Sequence, residues 1–192
     1  GSAFSGINKD EIVTSSIEHH AILRACEDVE KLGYSVVYLP VDKQGTVQPQ
    51  TLAGTIGKNT RLVSIMFSNN EIGTIQDIST LAQIAHDKGA LFHTDAVQAV
   101  GHYPINVKEL GVDMLSASAH KFNGPKGVGF LYVRSGTDIS SYMSGGSQER
   151  GLRAGTENIA SIVGMAHALK MNIQDLPANM EHLRSLEACL LN

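Results

Sequence analysis

Apolar positions recur along the chain in two alternating rhythms. Short, nearly continuous apolar or β-branched runs at Glu11–Thr14, Ser35–Leu39, Arg61–Phe67, Ala90–His93, Met114–Ser116 and Gly129–Val133 predict strands. Amphipathic segments lie between them. Glu18–Leu32 places Ile22, Cys26, Val29 and Leu32 at helical spacing and stops at Gly33. Pro49–Thr55 opens on proline, the residue suited to a first helical turn. Asp77 stands at an N-cap position, Ile78, Leu81, Ala82 and Ala85 form a stripe, and Gly89 follows the last turn. Glu157–Met171 and Ala178–Leu191 predict two closing helices. Strands alternating with helices predict an α/β fold, a mostly parallel sheet flanked by helices.

In such a sheet the ligand crevice lies at the carboxyl ends of the strands. That rule selects Ser68-Asn69-Asn70-Glu71, Thr94-Asp95, Ser118-Ala119-His120-Lys121 and the glycine-rich stretch after Val133. Many of the 19 glycines fall in Gly124–Gly129 and Gly145–Gly155, which read as site loops rather than linkers.

Composition narrows the class. The 192 residues are 42% apolar and 18% charged with a net charge of −4, an ordinary globular balance suited to a single domain. The sign of the charge and the lack of a Lys/Arg block argue against nucleic acid as a partner. The apolar run from Ile159 to Ala168 is broken by Ser161, Gly164 and His167, too short for a membrane span. No signal peptide is expected. Only two cysteines occur, Cys26 and Cys189, which suggests a reducing, cytoplasmic setting and packing roles for both.

A lysine at a strand end, beside a hydroxyl, a histidine and glycines, has two sharp readings. Lys121 could be a phosphate-loop lysine, but Gly124-Pro125-Lys126-Gly127 does not fit G-x-x-x-x-G-K-[ST]. It could instead form a Schiff base with a carbonyl cofactor. Asp95 favours the second, because a pyridoxal phosphate site needs a lysine for the aldehyde and a carboxylate on the pyridinium nitrogen. Gln98 lies three residues on, and a helical turn there would project both side chains to one side. His19 or His20 could cover the ring face. Ser118, His120 and a threonine of the glycine-rich loop could hold the phosphate.

These stretches carry a resemblance. Ile17-Glu18-His19-His20, Asn69-Asn70-Glu71-Ile72-Gly73, His93-Thr94-Asp95-Ala96-Val97-Gln98, Ser116-Ala117-Ser118-Ala119-His120-Lys121, Gly124-Pro125-Lys126-Gly127-Val128-Gly129 and Gly145 through Asn158 stand in the order found in the cysteine desulfurases. The chain resembles those pyridoxal-phosphate enzymes of the class V aminotransferase family from about Glu11 to Ala168. The resemblance implies that residues 1–192 form one cofactor-binding large domain, similar to that of fold-type I enzymes. Lys121 would bind the cofactor covalently, Asp95 the pyridine nitrogen and Gln98 the phenolic oxygen. His19 would stack on the ring and assist proton transfer. Asn70 would sit beside the ring oxygen and the substrate amine. Ser118 and His120 would hold the phosphate, joined by Thr156 from the partner subunit of a homodimer. L-cysteine would yield L-alanine and an enzyme persulfide, destined for a sulfur acceptor or iron–sulfur scaffold protein.

The resemblance also implies parts outside the sequence: an earlier phosphate-binding loop, and a later small domain with the persulfide-forming cysteine. Neither Cys26 nor Cys189 matches that nucleophile, so this piece is expected to lack turnover by itself. A selenocysteine lyase and a non-catalytic dimerisation or interaction module are the alternatives. A metal site is not expected. Adjacent His19 and His20 would point about 100° apart on a helix, and His93 with Asp95 lacks a third ligand.

Overall fold

β-Branched and aromatic residues build the strands close to where the pattern puts them. The computed structural model describes residues 10–191. Six strands, β1 (Glu11–Ser15), β2 (Ser35–Leu39), β3 (Thr60–Ser64), β4 (Leu91–Asp95), β5 (Met114–Ser118) and β6 (Gly129–Val133), form one sheet in the order β2-β1-β3-β4-β5-β6. The first five run parallel; β6 returns antiparallel to β5, pairing Gly129 with Ser118. The helices are α1 (His20–Lys31), α2 (Pro49–Thr55), α3 (Ile78–Asp87), α4 (Val107–Leu110) and α5 (Ile159–Leu191).

The two faces of the sheet differ. Val13, Val63, Phe92 and Leu115 point to one face and pack with Leu52 of α2 and with Ile78, Leu81, Ala82 and Ala85 of α3 in the main core. Strand alternation puts the neighbouring residues on the other face. There the register aligns Thr14 with Ser64 and Ser64 with His93, and Asp95 with Ser116. A polar row therefore crosses the sheet just below its carboxyl edge.

α3 follows its sequence signature. The Asp77 carboxylate accepts the Thr80 amide hydrogen at 3.2 Å, and hydrogen bonding from the Thr80 side chain first, then from that amide and the Ser79 hydroxyl, holds its pKa below the usual range. Elsewhere the structure corrects the pattern. β3 stops at Ser64, although Ile65 and Phe67 still donate their amides to the carbonyls of His93 and Asp95. β5 continues to Ser118, two residues beyond the predicted end. α1 begins at His20, not Glu18, and its stripe ends early because Leu32 is exposed. The two predicted closing helices are one helix of 33 residues that runs through Pro177. Proline removes one backbone donor and usually breaks a helix; here both halves share one axis element, with Leu176 buried beside the break point. Cys26 is buried as expected, but Cys189 is exposed on the last turns of α5, where Leu186, Leu190 and Leu191 are exposed too.

Candidate functional site

All the predicted site residues but Thr156 stand at one edge of the sheet. His19 follows β1, Asn70 follows β3, Asp95 ends β4 with Gln98 just beyond, and Ser118, His120 and Lys121 follow one another at the end of β5. These four strands are consecutive neighbours. At about 4.8 Å between strands, the carboxyl ends span roughly 14 Å.

Each position has a local cause. His19 is the N-cap of α1, and its Nδ1 accepts the Ala21 amide hydrogen at 3.1 Å. With Nδ1 engaged in that bond, Nε2 is the ring nitrogen the cap leaves free. Asp95 is 8% exposed, and its Oδ1 accepts the Val97 amide hydrogen at 3.0 Å, which begins the turn to Gln98. Backbone bonds from Ala99 and Val100 to the Ala96 carbonyl complete that turn.

Lys121 lies on a 3-10 turn, Ala119–Phe122, rather than in a loop. The turn is pinned from three sides. His102 Nε2 donates to the Lys121 carbonyl at 2.7 Å, Asn172 Nδ2 donates to the Phe122 carbonyl at 2.7 Å, and the Gly124 amide donates to the Ala119 carbonyl at 2.8 Å. Glycine is required around it. A Cβ at Gly124 would meet the Ala119 Cβ at 2.9 Å, and one at Gly129 would meet the Ala117 carbonyl oxygen at 2.5 Å. Ser118 Oγ and His120 Nδ1 are hydrogen-bonded at 2.8 Å beside the lysine. Thr156 is exposed in the segment between β6 and α5. Arg153 in the same segment turns its guanidinium to the carbonyls of Ala154 and Gly155 at 3.5 Å.

Three buried polar groups were not foreseen. Glu18, 5% exposed, accepts the Ser15 hydroxyl at 2.6 Å and the Met66 amide at 2.8 Å through Oε1. Burial pushes its pKa up to about 7, against the lowering effect of these two bonds, and the charge of Asp95 raises it further. His93 lies between Ser64 Oγ at Nδ1 and Ser116 Oγ at Nε2, both at 2.8 Å; burial lowers its pKa to about 4, and it is neutral at pH 7. Asn69, 7% exposed, donates to the Ile17 carbonyl at 2.9 Å. The only sequence signal was polarity next to strand ends; the partners that tie them to neighbouring strands and loops are distant in the chain. Among the described residues, no group of three His, Cys, Asp or Glu could hold a metal ion, and no helix is long and apolar enough to cross a membrane.

The donor set fits pyridoxal phosphate. An amine, a shielded carboxylate and a hydroxyl–imidazole pair stand together at the carboxyl edge, on a turn whose close backbone approach a Cβ would fill. Fold and site together define an α/β cofactor-binding domain of an enzyme. The chain belongs to the aminotransferase class-V family, which matches residues 5–192. It is 54% identical to the cysteine desulfurase IscS of Dictyoglomus turgidum over 97% of the chain and 48% of that protein. It is 50% identical to the IscS of Methanosarcina thermophila over 100% of the chain and 48% of that protein. Among solved structures, a NifS-like protein superposes with a TM-score of 0.93 at 43% identity, over 95% of the chain and 51% of that structure's chain. SspA, solved in complex with cysteine, gives 0.82 at 40% identity, over 84% and 47%. The chain thus spans about half the length of the curated relatives it matches. The family's cofactor is pyridoxal 5'-phosphate.

Proposed function

We propose that this chain is the pyridoxal-phosphate-binding large domain of a cysteine desulfurase that takes sulfur from L-cysteine and leaves L-alanine. The observation that carries the reading is the placement of Asp95 and Lys121 at the ends of adjacent strands β4 and β5, with the Ser118–His120 pair alongside. The relative solved with cysteine supports the substrate.

When bound, the cofactor supplies an electron sink that stabilises negative charge on the substrate carbon. The protein's residues do the rest. Lys121 provides the amine that takes the aldehyde, from a turn held by His102 and Asn172. The Asp95 carboxyl group, buried at the end of β4, bonds the pyridine nitrogen. Gln98 bonds the phenolic oxygen, and Asn70 lies beside it and the substrate amine. Ser118 and His120 hold the phosphate, with Thr156 reaching the partner's site in a homodimer. His19 covers the ring and moves protons at Nε2, the atom its capping bond leaves free.

Sulfur leaves as a persulfide on a protein cysteine and passes to an acceptor or iron–sulfur scaffold in the cytoplasm. Neither thiol of this chain suits that role. Cys26 is buried, and burial together with Glu18 and Glu30 pushes its pKa to about 11. Cys189 is exposed near the end of α5, remote from the strand ends along the fold. On this reading the chain by itself has no turnover. Titration with pyridoxal phosphate tests the reading: a yellow absorption band forms, and Lys121→Ala abolishes it. An unchanged spectrum in Lys121→Ala refutes it.

A further inference from the structure

Two loops meet at the candidate site, and the residues that join them are not the ones that face it. Ile17-Glu18-His19 follows β1, and Met66 through Asn70 follows β3. Met66 donates its amide to Glu18 Oε1 at 2.8 Å, and Asn69 Nδ2 donates to the Ile17 carbonyl at 2.9 Å. Asn69 Nδ2 also lies 3.4 Å from Met66 Sδ, and its Oδ1 accepts the Glu71 and Ile72 amides at 2.9 and 3.0 Å. One amide side chain therefore orders the turn that carries Asn70 and ties it to the segment that carries His19.

Both joining residues are buried, whereas His19 and Asn70 are exposed. Glu18 and Asn69 each sit one residue before an exposed site residue, so an error in their placement transfers directly. The next residue, Phe67, donates its amide to the Asp95 carbonyl at 2.8 Å, which extends the connection to the third strand end.

We propose that Glu18 and Asn69 form a clamp that sets the separation of His19 and Asn70, and that both are positioning residues for the cofactor site. The proposal rests on the pyridoxal-phosphate reading above. Glu18 serves as a clamp by its shape and accepting oxygen, not by charge. Its second oxygen, Oε2, is buried without a hydrogen-bond partner, and Asp95 on β4 and Cys26 on α1 are the titratable groups around it. A protonated carboxyl suits that setting, and its burial-raised pKa agrees. A glutamine keeps the accepting oxygen and should replace it.

Glu18→Ala, Glu18→Gln and Asn69→Ala, made in the intact protein, test this. Glu18→Ala and Asn69→Ala should each weaken pyridoxal phosphate binding about tenfold, the loss of one buried bond, and shift the pH midpoint of the yellow band. Glu18→Gln should restore both. Unchanged affinity and midpoint in the two alanine variants overturns the clamp; Asn69→Ala decides alone if Glu18→Ala does not fold. Absence of a yellow band in the unsubstituted protein refutes the cofactor reading instead. Amide exchange without cofactor then judges the clamp. Exchange about tenfold faster at Glu71 and Ile72 in Glu18→Ala supports it, and unchanged exchange overturns it.

Discussion

His93 Nδ1 lies 2.8 Å from the Ser64 hydroxyl, so a buried imidazole on β4 is tied to the neighbouring strand. The ring is neutral because burial lowers its pKa from 6.5 to about 4. The unfolded chain therefore binds more protons than the folded one between those values, and this group's stabilising contribution, full above pH 6.5, is lost as pH falls through 4. His93→Gln removes that dependence. Urea midpoints measured from pH 4 to 6.5 should rise less steeply with pH in the variant, and an identical slope would contradict the assignment.

Glu18 acts in the opposite direction. Its pKa rises from 4.5 to about 7 on folding, so its contribution is full below pH 4.5 and is lost as pH rises through 7. The two slopes offset each other in the unsubstituted protein. Glu18→Gln should leave a curve that climbs more steeply between pH 4.5 and 6.5. A curve that flattens instead would contradict a buried, protonated Glu18.

Gly129 lets β6 approach β5 beside the lysine turn. An added Cβ would stand 2.5 Å from the Ala117 carbonyl oxygen, a backbone atom that cannot swing away. Gly129→Ala should cost about 1–3 kcal/mol, and calorimetry should show a melting point lower by about 2–4 °C per kcal/mol. A melting point within 1 °C of the unsubstituted protein, about the shift expected below the smallest overpacking cost, would contradict the close approach.

The two thiols should differ in reactivity. A thiol with a pKa near 11 is almost wholly protonated at pH 7.5, and Cys26 is buried as well. Iodoacetamide should alkylate Cys189 in the folded protein and reach Cys26 only in denaturant. Equal labelling of both under native conditions would contradict the burial of Cys26.

The strands and α3 were legible because their signals are local. Val36 and Val37 of β2 favour the extended backbone, and Asp77 caps a helix whose stripe follows within eight residues. The site was legible as residue types at strand ends, since a parallel sheet sends those ends to one edge. What holds the site was not. Glu18 bonds a backbone group 48 residues away and Asn69 one 52 residues away, and no periodicity encodes such pairs. Glu18 read as the first residue of a helix; the fold puts it in the interior, ahead of α1. The pattern ends one helix at Met171 and starts another at Ala178, yet α5 runs unbroken across both, Pro177 included. Cys189 read as a packing residue, but the leucines around it are exposed, so no apolar surface among the described residues covers that end of α5.

Lys121 is the residue proposed to bind pyridoxal phosphate. Borohydride reduction of the protein with pyridoxal phosphate, followed by peptide mass mapping, tests it most directly. One modified lysine is expected, Lys121, with Lys126 five residues on left unmodified. Reduction that labels Lys126 or scattered surface lysines, and leaves Lys121 free, would contradict it.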